Sequence, residues 1–249
     1  MKSPILTLAS AAALILAAAP AIAGPTDWTG PYVGANVGGG FGASDMATTA
    51  GSGGYFAGSS ISSIAANGTA NLKPTGFTGG VGGGANLQTG NWVVGLEADI
   101  DALTLNKSTA ATAVYPCCSP SAYTITQGAK TSWLFTARPR VGWTTNGVLV
   151  YATGGVAVTD FHYTATFADT FTPVTENGSK TSTKTGWTLG GGLEAQIDPK
   201  WSLKAEYLYA DFGKVNSTAA LVPAVSGQVM DHNAKLNTSL VRFGLNMRF

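Results

Sequence analysis

The chain repeats one pattern, an alternation of apolar residues with polar residues or glycine over about ten positions, and a β-strand with two chemically different faces is what satisfies it. At the C-terminal end Val241, Phe243, Leu245, Met247 and Phe249 share one parity and Arg242, Gly244, Asn246 and Arg248 the other. Trp201, Leu203, Ala205, Tyr207 and Tyr209 alternate with Ser202, Lys204 and Glu206. Trp187, Leu189, Leu193 and Ile197 alternate with Gly190, Gly192, Glu194 and Gln196. Trp133, Phe135, Val141 and Trp143 oppose Ser132, Thr136, Arg138 and Arg140, and Trp92, Val94, Leu96 and Ile100 oppose Glu97, Asp99 and Asp101. Phe77, Val81 and Leu87 oppose Gly80, Gly82 and Gly84. Two weaker segments, 31–42 and 148–161, complete a set of eight, and the second is apolar on both parities, so its faces stay unassigned. Pro139 cannot donate to a ladder, and a local bulge is expected near it.

The connections alternate in length. Thr89-Gly90-Asn91, Thr145-Asn146-Gly147 and Asp198-Pro199-Lys200 have the residues of tight turns. The other four, 43–74, 106–129, 164–184 and 213–235, are long and polar. Long connections on one side and short ones on the other are what an up-and-down barrel crossing a bacterial outer membrane requires, with long loops outside and tight turns in the periplasm. A spanning sheet must also close, because hydrocarbon offers no partner for an edge strand. The expected fold is therefore all-β, an eight-stranded antiparallel up-and-down transmembrane β-barrel over residues 24–249.

The N-terminus agrees with export. Lys2, the apolar run 5–19 and Ala21-Ile22-Ala23 read as a secretory signal peptide over residues 1–23. Charged residues make up 11% of the chain, against about 25% in soluble domains. With Lys2 gone the formal charge is zero, so no basic field points to nucleic acid.

The polar parity carries Glu97, Asp99, Asp101, Glu194 and Glu206 against Arg138, Arg140, Lys204, Arg242 and Arg248. An eight-stranded barrel is just wide enough for its own side chains to fill, and buried charge must be paired. These ten residues are expected to form an internal ion-pair network, with glycines on facing strands leaving room for the long side chains. Trp92, Trp133, Trp143, Trp187, Trp201, Tyr207 and Tyr209 fall near strand ends, where aromatic residues gather at membrane interfaces. The partners expected on this reading are outer-membrane lipid and lipopolysaccharide, with no external ligand legible.

Chemistry is sparse. His162 and His232 are the two histidines, both expected at loops or rims, and no serine follows His162 in a His-x-Ser arrangement. Asp99 and Asp101 could act as an acid–base pair, but neighbouring arginines should hold both ionised. No cofactor or metal site is expected, because Cys117 and Cys118 are adjacent and no histidine cluster accompanies them. A vicinal disulfide, intermolecular pairing and two free thiols all stay open for that pair.

The segments Trp28-Thr29-Gly30-Pro31-Tyr32-Val33-Gly34, 151–157, 186–213 and 241–246 resemble the small outer-membrane immunogenic proteins of α-proteobacteria, also described as porin-family or OmpA-like β-barrels. The resemblance covers nearly all the strands and fails in the long connections. It implies an eight-stranded barrel, a surface antigen without catalytic residues, and a disputed pore activity. Phe249 at the end of an alternating strand resembles the signal read by the barrel-assembly machinery. The function expected is a structural and surface-antigen role in the envelope, not an enzyme, with a narrow porin for small hydrophilic solutes as the alternative.

Overall fold

The computed structural model describes residues 27–249, so the signal-peptide segment lies outside the described residues. Strands β1 (Gly30–Ala50), β2 (Thr69–Leu72), β3 (Thr75–Thr89), β4 (Trp92–Val114), β5 (Ala122–Thr145), β6 (Val148–Asp169), β7 (Thr175–Asn177), β8 (Lys180–Gln196), β9 (Trp201–Ala220) and β10 (Val229–Arg248) are joined by one helix, α1 (Gly58–Asn67). Eight of them form an antiparallel ring in the order β1-β3-β4-β5-β6-β8-β9-β10, and β10 pairs back onto β1 from Tyr32↔Arg248 to Ala50↔Met230. Closure satisfies the backbone where hydrocarbon cannot. The short strands β2 and β7 attach to β1 and β6 above the ring.

The tight turns close one end, the end expected to face the periplasm. Asn146 (φ 49°) and Gly147 (φ 78°) form a two-residue turn with both centres left-handed, the geometry that matches strand twist in hairpins.

The connections expected on the external side are shorter than the sequence suggested, because the strands continue through most of the segments expected as loops. What remains outside regular strands or the helix on three of them is 115–121, 170–174 with 178–179, and 221–228. A tilted strand crosses the bilayer in about 9–11 residues, whereas β4, β5 and β6 run 23, 24 and 22 residues. Above the membrane both faces meet polar surroundings or each other. The alternation fades there, although the Thr-rich sequence still favours strand.

No bulge occurs at Pro139. Leu96↔Pro139 falls in an unbroken β4–β5 register, and Thr153 Oγ1 donates to the Pro139 carbonyl at 2.8 Å. The shifts lie higher, between Ala102 and Leu105, Lys130 and Leu134, and Lys235 and Asn237. The second of them turns Ser132 outward and Leu134 inward. At about that level two ladders end, β3–β4 at Thr78↔Leu103 and β8–β9 at Trp187↔Asp211. Beyond it the ring becomes two facing walls, β4-β5-β6-β8 and β9-β10-β1-β2.

On β6 the odd residues Leu149, Tyr151, Ala157 and Phe161 point inward, and Val150 and Val156 point out. Its double apolar character therefore reports an interior that is itself partly apolar.

Candidate functional site

Nine of the ten expected interior charges meet in one network. Arg138 lies 2.6 Å from Glu97 and also contacts Asp99 and, at 3.4 Å, Glu206. Arg242 lies 2.9 Å from Asp99 and contacts Asp101 and Glu206. Arg140 reaches Glu194 at 3.0 Å and Glu97 at 3.5 Å, and its guanidinium sits between the rings of Tyr32 (4.6 Å) and Tyr151 (5.2 Å). Lys204 donates to Glu97 at 3.1 Å. Neutral donors complete the set: Tyr32 to Glu97 at 2.6 Å, Tyr151 to Glu206 at 2.8 Å, Thr136 to Asp99 at 3.0 Å, and Ser202 and Asn246 to Glu194 at 2.6 and 2.7 Å. All of the charged members are buried.

Arg248 departs from the expectation. It is the penultimate residue, too near the strand end to reach a carboxylate, so its guanidinium donates to the carbonyls of Asp27 and Pro199 and stacks over Trp28 at 4.9 Å. The network thus holds four cations against five carboxylates rather than five against five.

Space for these side chains comes from glycine. Gly80, Gly82 and Gly84 on β3 face Asp101, Asp99 and Glu97. A Cβ on Gly82 would stand 2.8 Å from the Asp99 Cβ, and one on Gly192 would stand 2.7 Å from the Tyr151 hydroxyl. The cavity left beside Tyr32, Glu97, Asp99 and Lys204 measures about 10 Å³, about one water. A larger concavity of about 480 Å³ lies on the outer wall over Ala85, Leu96, Ala98 and Pro139.

Apolar layers lie on both sides of the network. Trp28, Val93, Leu149 and Tyr151 pack at the tight-turn end, with Trp28 Nε1 donating to Thr144 at 2.8 Å. On the external side Leu103, Leu105, Leu134, Phe161, Phe212 and Leu240 belong to a larger cluster. Above it a third cluster includes Ile64 of α1, Tyr115, Tyr123, Phe167, Val174 and Met230. Tyr55 and Tyr115 both donate to Asp169 Oδ2, at 2.7 and 2.9 Å. Burial, then that carboxylate, pushes the Tyr115 phenol up and keeps it a neutral donor. Sequence reasoning missed these layers and α1; the apolar inward parity of β6 was the available signal.

His232 is not at a rim. Its Nδ1 lies 2.9 Å from Thr48 Oγ1 and its Nε2 3.0 Å from Glu176 Oε2, with both the His232 and Glu176 side chains fully buried. Gln127 Nε2 donates to the same Thr48 oxygen at 2.9 Å. This Thr–His–Glu line is buried and brings β1, β7 and β10 together. His162 is half-exposed at the rim, 3.0 Å from Asp160, with Thr181 as its other neighbour. Cys117 and Cys118 form a disulfide at the β4–β5 tip.

The aromatics expected at the membrane interfaces lie in two tiers. Trp92, Trp143 and Trp201 are exposed beside the tight turns, and the Trp92 and Trp143 rings meet edge to face at 5.1 Å. Trp133, Trp187, Tyr207 and Tyr209 stand higher, with Trp187 and Tyr209 5.5 Å apart. About ten residues along a tilted strand separate the tiers on β5, close to the roughly 25 Å apolar band of such barrels. Phe249 is 71% exposed, and its amide donates to the Pro31 carbonyl at 3.1 Å.

A family model described as outer membrane protein beta-barrel domain matches residues 9–249. The 31 kDa outer-membrane immunogenic protein of Brucella melitensis is 35% identical over 185 residues, 74% of this chain and 70% of the relative. The 25 kDa outer-membrane immunogenic protein of Brucella abortus is 26% identical over 178 residues, 72% and 68% of the two chains. The crystal structure of the outer membrane protein OprG from Pseudomonas aeruginosa aligns with a TM-score of 0.48 at 10% identity, covering 90% of this chain and 99% of that one.

Proposed function

The chain belongs to the outer membrane β-barrel family and resides in the cell outer membrane, and from that premise we propose that it is a non-catalytic envelope protein: a filled barrel that carries a surface-exposed antigenic tip. One observation supports the reading above the others. The lumen is occupied along its length by the ion-pair network and its apolar layers, and the cavity at the network holds about 10 Å³. Beside the network the interior has room for about one water rather than for a hydrated solute. The buried Thr48–His232–Glu176 line and the rim His162 offer no nucleophile and base together at an accessible surface.

The test is conductance of the refolded protein in a planar bilayer. The expected result is no steady ohmic current, and none unmasked by Gly82→Ala or Arg138→Met. A steady current that bulky residues at Gly82 or Gly190 abolish would refute the filled-barrel reading in favour of a narrow porin for small hydrophilic solutes. Surface display has its own check: protease added to whole cells should cleave within 115–121 or 221–228 and leave the tight turns intact.

A further inference from the structure

The long hairpin β4–β5 ends in the turn 115–121, and the disulfide of Cys117 and Cys118 lies in it. A bond between neighbours closes almost no chain, so it contributes little by restricting the unfolded state. The backbone of the turn is held without it. Tyr115 donates to the Ser121 carbonyl at 2.9 Å, Ser121 to the Cys118 carbonyl at 2.9 Å, and Cys118 to the Tyr115 carbonyl at 3.3 Å. What such a pair offers is reactivity rather than packing.

The two sulfurs are not equivalent. Cys117 is exposed, and the Ser60 hydroxyl of α1 stands 3.4 Å from its Sγ. Cys118 is half-buried against the cluster that includes Ile64, Tyr115 and Tyr123. A disulfide sulfur carries no proton, so Ser60 is the donor in its contact. Adjacency itself sets the bond apart: one peptide unit keeps the two Cα atoms 3.8 Å apart, closer than in most disulfides, and such bonds are more easily reduced. Residues 108–129 carry no charge, and neither do 51–68 and 170–175, which pack beside them. The adjoining Asp169 is buried and accepts from Tyr55 and Tyr115. An approaching thiolate therefore meets no like charge at this surface.

We propose that Cys117–Cys118 is a thiol-exchange site, which takes a low-molecular-mass thiol onto Cys117 as a mixed disulfide. The incoming thiol gives its proton to water, and its thiolate attacks Cys117 Sγ. A bond forms between those two sulfurs and the bond between Cys117 and Cys118 breaks. The electron pair leaves on Cys118 Sγ, which takes a proton from water. The incoming sulfur is oxidised to the disulfide level as Cys118 is reduced to a thiol, so no further oxidant or reductant enters. The turn keeps Cys118 beside Cys117, and its thiolate reverses the step by expelling the adduct. Ser60 already occupies one side of Cys117, which favours a small thiol over a cysteine set in a folded surface. The chemistry needs only the tip; that the tip meets thiols outside the cell rests on the surface display proposed above.

The test incubates the full chain, refolded in detergent micelles, with reduced glutathione under argon, then quenches with N-ethylmaleimide before intact-mass and peptide analysis. The first product should carry one glutathione on Cys117 and one maleimide on Cys118. It should form at a rate within about tenfold of that for the same chain unfolded in urea, because an exposed sulfur needs no opening of the fold. Removing glutathione before the quench should return the intact disulfide, whereas Cys118→Ser loaded on Cys117 with oxidised glutathione should keep its adduct through the same step. An adduct confined to the unfolded chain, a first adduct on Cys118, or an adduct that wild type and Cys118→Ser retain alike would overturn the proposal. On whole cells, a membrane-impermeant maleimide added after glutathione should label Cys118. Labelling in micelles but not on cells would refute the outward placement of the tip, and is thereby distinguished from failure of the exchange itself.

Discussion

Replacing Arg242 with methionine removes the cation that touches the most carboxylates by direct charge contact alongside Arg138. Arg242 lies against Asp99 at 2.9 Å and against Asp101 and Glu206, with its side chain 1% exposed. Among the described residues, Arg242 is the salt-bridge partner of Asp101, which has no other. Without it, five carboxylates face Arg138, Arg140 and Lys204 in a space with room for about one water. Breaking a buried pair by removing one partner costs about 3–5 kcal/mol, a fall of roughly two to three and a half decades in the folding equilibrium constant. Urea unfolding of the barrel in phospholipid vesicles, followed by tryptophan fluorescence, measures it. Adding Asp101→Asn should recover at least about 1 kcal/mol, because the stranded anion is then gone. Lys235→Gln provides the contrast, since its pair with Asp211 is part-exposed and exposed pairs contribute about 0.2–1 kcal/mol. If Arg242→Met costs no more than Lys235→Gln, the network does not stabilise the barrel in the way its geometry implies.

Three further outcomes are expected. Gly192→Val should lower stability by about 1–3 kcal/mol in the same urea assay, because its Cβ would stand 2.5 Å from the Ala205 carbonyl and 2.7 Å from the Tyr151 hydroxyl. Cys117→Ser with Cys118→Ser should leave barrel unfolding within about 0.5 kcal/mol of wild type, since a bond between neighbours closes almost no chain, while peptide mass analysis of the wild type should find no alkylated cysteine before reduction. Deleting Phe249 should reduce insertion in cells while leaving vesicle stability nearly unchanged, since its ring is 71% exposed; equal losses in both assays would mean the residue acts through packing.

The sequence was most legible where lipid meets one face of a strand and side chains meet the other. That contrast made the ring strands readable and put Glu97, Arg138, Glu206 and Arg242 on the inner parity where they lie. Legibility ended where the contrast ended. Above the membrane, 106–114 and 213–220 are strands whose surroundings differ little from one face to the other, so they looked like polar loops. The apolar layers around Phe161 and Trp28 face inward, and a pattern that equates apolar with outward cannot report them. Arg248 shares the inner parity of Arg242 but stands six residues nearer the chain end, and parity carries no information about depth. Pro139 faces outward, and the register passes through it.

The overhanging strands change what another cell or molecule meets at this surface. Most of the protruding chain is locked into hydrogen-bonded hairpins continuous with the wall below, so the freely shaped relief shrinks to a few short caps such as 115–121 and 221–228. On the surface display proposed above, antibody binding to such a tower would read shape rather than linear sequence. A serum raised on linear peptides from 106–114 would be matched to a conformation the native hairpin does not adopt, whereas one raised on the intact barrel would read neighbouring strands side by side.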